Sequence, residues 1–213
     1  MNATVSIDRR QKILDMMRLQ DAINRKIDVD WALQGREWYR AVWIECAELM
    51  EHYGGWKWWK KEHPDMDQVL LEVVDIWHFG LSSLLVRDSD WSITAAKVDQ
   101  QWDNQSDVMD FHRSVEGLAE GALRTKEFSI KFFGAVLRSC EFSFEDLYKS
   151  YIGKNVLNRF RQDNGYKKGT YTKMWNGKED NAVLGEILKD LSVEVEDFES
   201  AVYADLESKY PDA

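Results

Sequence analysis

The stretch VLLEVVDIWHFGLSSLLV, Val69 to Val86, decides how the chain is read. Eighteen residues this apolar are long enough to cross a bilayer as a helix. Glu72, Asp75 and His78 stand at its middle, however, and a lipid-facing helix rarely tolerates ionisable groups there. The pattern predicts a core helix, roughly Met66 to Val86, that carries polar chemistry into the interior of a soluble, cytoplasmic protein.

Outward from this helix the chain reads as all-α. Two prolines and twelve glycines in 213 residues favour long helices, and no run of period-two alternation is long enough to propose a sheet. A first helix follows Ser6 or Asp8, either a fit N-cap, and runs to about Ile27. A second spans roughly Gln34 to His52 and stops at Gly54-Gly55. The Trp/Lys-rich connector GGWKWWKKEHPD leads past Pro64 into the core helix. Arg87 to Asp110 is polar, acidic and the least structured-looking part. Further helices are expected at about Arg113–Arg138 and, capped by Ser143, Phe144–Gln162. An Asp-Asn-Gly turn at 163–165, an ordered loop to Lys178 and two acidic helices complete a single domain, 1–213. A lid or helical segment at about 88–140 reads as an insertion in it.

The formal charge is −10, and an overall negative field argues against nucleic acid or an anionic membrane as partner. Cys46 and Cys140 allow at most one bridge, which suits a reducing compartment, and neither has a plausible base partner. The opening MNATVSIDRR holds no apolar signal segment. Between Lys149 and Lys178, eight basic residues face one acid, a net +7 that leaves −17 for the rest. A solvated basic face is the ordinary explanation of such a cluster. Combined with buried-looking acids elsewhere, it is also what a metal–polyphosphate site requires.

Those acids are Glu45 and Glu48 on the second helix and Glu72 and Asp75 on the third. Residues three apart lie about 5–6 Å apart at Cβ on one helix face. Four carboxylates on core-facing stripes repel each other and lose hydration. A hard divalent cation with oxygen ligands, Mg²⁺ by preference, is the simplest compensation. A charged rim is the competing explanation, and it would suffice for one pair. A di-iron bundle would need a second Glu-x-x-His, which the second helix lacks. On the first helix, Gln20 and Asn24 occupy the stripe of Ile13, Met17 and Ile27. Buried amides left unpaired cost about 1–3 kcal/mol each, so they must find partners, whether backbone carbonyls or the edge of a base.

The motifs E-C-A-E (45–48), G-G-W-K-W-W-K-K (54–61) and E-V-V-D-I-W-H-F (72–79) resemble the dimeric, all-α dUTPases within the wider all-α NTP pyrophosphatases. Y-I-G-K-N-V-L-N-R-F-R-Q-D-N-G-Y-K (151–167) and E-D-N (179–181) resemble the later part of that family. The resemblance implies a helical bundle, a homodimer and hydrolysis of dUTP, and of dUDP, with dUMP and diphosphate as products from dUTP. Such an enzyme limits uracil in DNA and feeds dTMP synthesis. It implies Glu45, Glu48, Glu72 and Asp75 as ligands of two or more Mg²⁺, with Mn²⁺ a substitute, and Glu48 as the group orienting the attacking water, with Glu45 beside it. Nucleoside contacts fall on Gln20, Asn24, Trp58 and His78. Phosphate contacts fall on Lys154, Asn158 and Arg161, with Lys168 and Lys173 for the outer phosphates. An amide presents its oxygen or its nitrogen by flipping. The same residues therefore suit uracil or cytosine, and dCTP or a wider set of deoxynucleotides stays open as substrate. A non-catalytic helical protein that binds Mg²⁺ is the reading from outside the enzyme class.

Overall fold

The computed structural model describes residues 2–103, 109–192 and 197–211, and its contacts fall into two compact units, 1–147 and 148–213. The first unit holds α1 (Asn2–Ile27), a single 3₁₀ turn (Trp31–Leu33), α2 (Trp38–Tyr53), α3 (Met66–Leu85), α4 (Trp91–Asp103), α5 (Phe111–Thr125) and α6 (Ile130–Ser139). Helix α7 (Phe144–Asp163) carries the boundary between the units. The apolar stretch is α3. It begins after Pro64, where the Asp65 carboxylate accepts from the Gln68 amide at 3.3 Å and satisfies a first-turn donor. By length and composition α3 could cross a membrane, yet most of it is buried against protein, as a core helix is.

Neighbouring helices of the first unit follow one another in a closed cycle: α1, α3, α2, α5, α6, α4 and back to α1. The strongest packing is α2 on α3. Trp77 of α3 is the central residue of this core. Its indole stacks on Phe133 with ring centres 4.9 Å apart, meets Trp102 edge-on at 5.9 Å and donates Nε1–H to the Met16 sulfur at 3.3 Å. Aromatic pairs of this kind contribute about 0.5–1.5 kcal/mol beyond their area.

Three differences from the sequence reading have identifiable causes. Helix α1 starts at Asn2, so Ser6 and Asp8 lie inside it rather than capping it; the Ser6 side chain is outside the described residues, and Asp8 pairs with Lys12 at 2.9 Å. The polar stretch Arg87–Asp110 contains α4, whose buried apolar residues are only Ala95, Val98 and Trp102, with the polar Thr94 and Asp99 buried beside them, so the stripe does not stand out by hydrophobicity. The expected helix Arg113–Arg138 is two helices, because Lys126 adopts a left-handed conformation and Ser129 caps α6 by accepting from the Phe132 amide at 3.4 Å. The Ser143 cap forms as read: its hydroxyl accepts from the Asp146 amide at 3.1 Å while Asp146 accepts from the Ser143 amide at 2.8 Å.

In the second unit the loop to Lys178 contains a hairpin of two-residue strands, β1 (Met174–Trp175) and β2 (Lys178–Glu179). Asn176 and Gly177 both take positive φ, 51° and 85°, as the tight hairpin turn requires. Helices α8 (Asp180–Asp190) and α9 (Phe198–Lys209) follow, as expected of the acidic tail. Phe160, Trp175 and Tyr210 pack edge to face, with centroids 5.2–5.8 Å apart, and Tyr171 stacks on Tyr210 at 5.4 Å.

Gly80 tests the packing of α3. A Cβ there would lie 2.5 Å from two ring carbons of Phe128, far inside contact distance. Gly80→Ala is expected to destabilise the protein by about 1–3 kcal/mol through overpacking. Adding Phe128→Leu should return part of that loss; chemical denaturation of the two variants measures both.

Candidate active site

Helices α2 and α3 bring Glu45, Glu72 and Asp75 together: one carboxylate oxygen from each lies within 4.8 Å of the other two. Glu72 is buried at 8% exposure, while Glu45 and Asp75 are half-buried. Burial foremost, then the charges of Asp75, Glu48 and Glu72 and a hydrogen bond with Glu72, push the Glu45 carboxyl from 4.5 up to about 8. Oxygens around one Mg²⁺ at about 2.1 Å are at most about 4.2 Å apart. Small side-chain rotations would therefore close this cluster on a hard divalent cation, and an all-oxygen donor set suits that ion.

Glu48 is exposed and is not one of the three converging groups, although its charge acts on Glu45. His52, one turn further along α2, places Nε2 3.6 Å from Glu72 Oε1. The sequence reading attached no function to it, yet 45, 48 and 52 share the i, i+3, i+7 spacing of one helix face.

Beside the carboxylates on α3 lies a second buried polar group. His78 and Ser82 of α3 meet Gln20 and Asn24 of α1, all four buried. Gln20 Nε2 donates to Asn24 Oδ1 and to Ser82 Oγ, both at 3.1 Å, and Asn24 Nδ2 donates to the same hydroxyl at 2.9 Å. Gln20 Oε1 is 2.6 Å from His78 Nδ1. The amides on the apolar stripe thus partner each other and α3. Ser82 was missed in the sequence, where its spacing of four from His78 was the available signal. Trp58 is 87% exposed and meets Trp59 edge-on at 5.2 Å.

A family model described as dUTPase matches residues 12–166. The chain belongs to the dUTPase family. No curated protein matches it. The matched span runs from α1 into the turn after α7. It holds all four predicted metal ligands, Gln20, Asn24, Trp58 and His78, and also Lys154, Asn158 and Arg161; Lys168 and Lys173 follow it. The helical architecture agrees with the all-α dUTPases that the motifs resemble. Membership makes the protein a dUTPase-like nucleotide hydrolase, with a small nucleotide as substrate.

The predicted phosphate residues occupy the second unit. Lys154 is buried in α7, Asn158 and Arg161 are half-buried, and Lys168 and Lys173 are exposed. Arg161 donates Nε–H and an Nη2–H to the two Asp180 oxygens, both at 2.8 Å. A second Nη2–H goes to Asn181 Oδ1 and an Nη1–H to Asn158 Oδ1, both at 3.2 Å. Four of the five guanidinium hydrogens are so engaged, and the fifth, on Nη1, lies outside these bonds. Burial alone would raise the Asp180 pKa, but the hydrogen bonds and charge of Arg161, with the Tyr171 hydroxyl, hold it below the usual range.

Arg161→Ala would strand the fully buried Asp180 charge. It should destabilise the fold by about 3–5 kcal/mol, read as a lower denaturation midpoint, and Asp180→Asn in the same chain should return part of it. Glu45 gives a pH signature. Its folded-state pKa stands above the unfolded value, so without cations the fold loses stability as pH rises from about 4.5 through about 8. Glu45→Gln should therefore melt near the parent's temperature at pH 5 and several degrees above it at pH 8.5, both in chelator.

Proposed function

We propose that the protein is a Mg²⁺-dependent dUTP diphosphatase that releases dUMP and diphosphate and also accepts dUDP. The convergence of Glu45, Glu72 and Asp75 in one cation-sized cluster carries this reading, and membership of the dUTPase family supplies the substrate class. Magnesium held by these carboxylates, two or more ions with Glu48 included, would neutralise phosphoryl oxygens and favour ionisation of water; Mn²⁺ would substitute.

The residues of the chain do the rest. Glu48, the exposed carboxylate, orients the attacking water by accepting its hydrogen bond at a side-chain oxygen. Phosphoryl transfer asks a protein mainly for positioning and charge neutralisation, and the cations that the cluster would hold would contribute to the second. Lys154, Asn158 and the remaining N–H of Arg161 hold phosphate oxygens, and Lys168 and Lys173 meet the outer phosphates as the leaving diphosphate gains charge. Gln20 and Asn24 read the base, His78 lies toward the sugar 3′-hydroxyl, and Trp58 closes over the nucleoside. Thirteen exposed large apolar side chains among the described residues, Trp56, Trp58 and Trp59 included, are consistent with a homodimer.

The test is a deoxynucleotide panel with Mg²⁺, scored for monophosphate and diphosphate, together with calorimetric titration of the cation. Asp75→Asn and Glu72→Gln should each weaken cation binding at least about tenfold and lower turnover of dUTP by about 10² or more. Full dUTP turnover by both variants in chelator would remove the metal from the reaction.

A further inference from the structure

The hydrogen-bond order around Ser82 follows from one group that cannot change its role. The Ser82 hydroxyl donates to the backbone carbonyl of His78 at 3.0 Å, and a carbonyl only accepts. Its single hydrogen spent, Ser82 Oγ can only accept from the two amides that approach it at 3.1 and 2.9 Å. Both Gln20 and Asn24 must therefore turn their NH₂ ends toward Ser82. Gln20 Oε1 then faces His78 Nδ1, which carries the proton, and Asn24 Oδ1 faces Gln20 Nε2. Asn24 keeps one N–H and one oxygen lone pair for a further partner. The amide orientation is set by chemistry.

We propose that Ser82 is a positioning residue that sets which pyrimidine the protein accepts, by locking the flip state of Gln20 and Asn24. The inference rests on the assignment of those two amides to the base. Uracil offers N3–H as a donor flanked by two accepting oxygens, whereas cytosine offers N3 as an acceptor beside its donating amino group. An amide that meets position 3 and its neighbour must place its oxygen on N3 for uracil and its nitrogen there for cytosine. Half a turn of the terminal torsion exchanges the two at almost no cost in shape. With the hydroxyl removed, the network gains an inverted alternative: Asn24 Nδ2 donates to Gln20 Oε1, and Gln20 Nε2 donates to His78 Nδ1 in the other imidazole tautomer. Ser82 is what excludes it.

The experiment compares kcat/KM for dUTP and dCTP, with Mg²⁺, in the intact parent protein and in Ser82→Ala. The parent should favour dUTP, and the ratio should fall at least about tenfold in the variant, the equivalent of about 1.4 kcal/mol of lost discrimination. A merely structural role would lower both substrates together, so an unchanged ratio overturns the proposal. A parent that hydrolyses dUTP and dCTP equally overturns it too, while leaving nucleotide hydrolysis intact. A parent that turns over neither sinks the functional reading itself, which is a different failure. Where Ser82→Ala does not fold, Ser82→Cys keeps the volume but donates weakly; a fallen ratio there supports the lock and an unchanged one overturns it.

Discussion

Mutual repulsion of carboxylates held in a partly desolvated cluster is the constraint on which the first unit turns. Helices α2 and α3 make the most extensive pairing in the unit, and three acids converge between them. Packing alone would favour replacing them with hydrocarbon, since ionised groups lose hydration there and gain each other's repulsion. The remainder of the unit reads as support for that unfavourable placement. Trp77, on the same helix, is enclosed by Met16, Trp102 and Phe133 from three other helices, which holds α3 in place. Trp77 stands two residues from Asp75, so the acids are carried on a helix anchored by a fully buried aromatic.

Much of this was legible in the residues. The long apolar run marked α3 closely and the Ser143 cap marked α7, while the glycine stop marked the end of α2, which starts at Trp38 rather than Gln34. Helix α4 was obscured because its buried side mixes the polar Thr94 and Asp99 with Ala95, Val98 and Trp102, which leaves no clear apolar period. The break between α5 and α6 depends on a lysine in the left-handed region, which no pattern of hydrophobicity records. For the candidate site, the E-x-x-E and E-x-x-D spacings placed the acids on two helices, but only the fold decided that Glu45, Glu72 and Asp75 converge and that Glu48 stays exposed.

Polar partners across helices were the least legible. Ser82 looks like a neutral small residue in an apolar run, and its significance comes from Gln20 and Asn24, about sixty positions away in the chain. The same holds for Arg161, whose tie to Asp180 spans nineteen positions and whose charge, taken alone, read only as a phosphate contact. Long-range hydrogen bonds have no period, so they leave no trace that a scan of neighbouring residues can detect. The family match gives the family and a nucleotide as the class of substrate, and leaves these particular pairings to the fold.

Glu72, Asp75, His78 and Ser82 occupy successive turns of a single uninterrupted helix, and this makes α3 a ruler. At 1.5 Å per residue the marks run over about 15 Å, from the carboxylates at one end to the buried serine–amide network at the other. Deleting one residue between any two marks would swing all later ones by about 100° around the axis. Side chains along this segment can therefore be exchanged one at a time over evolutionary history, whereas its length is closed to insertion and deletion.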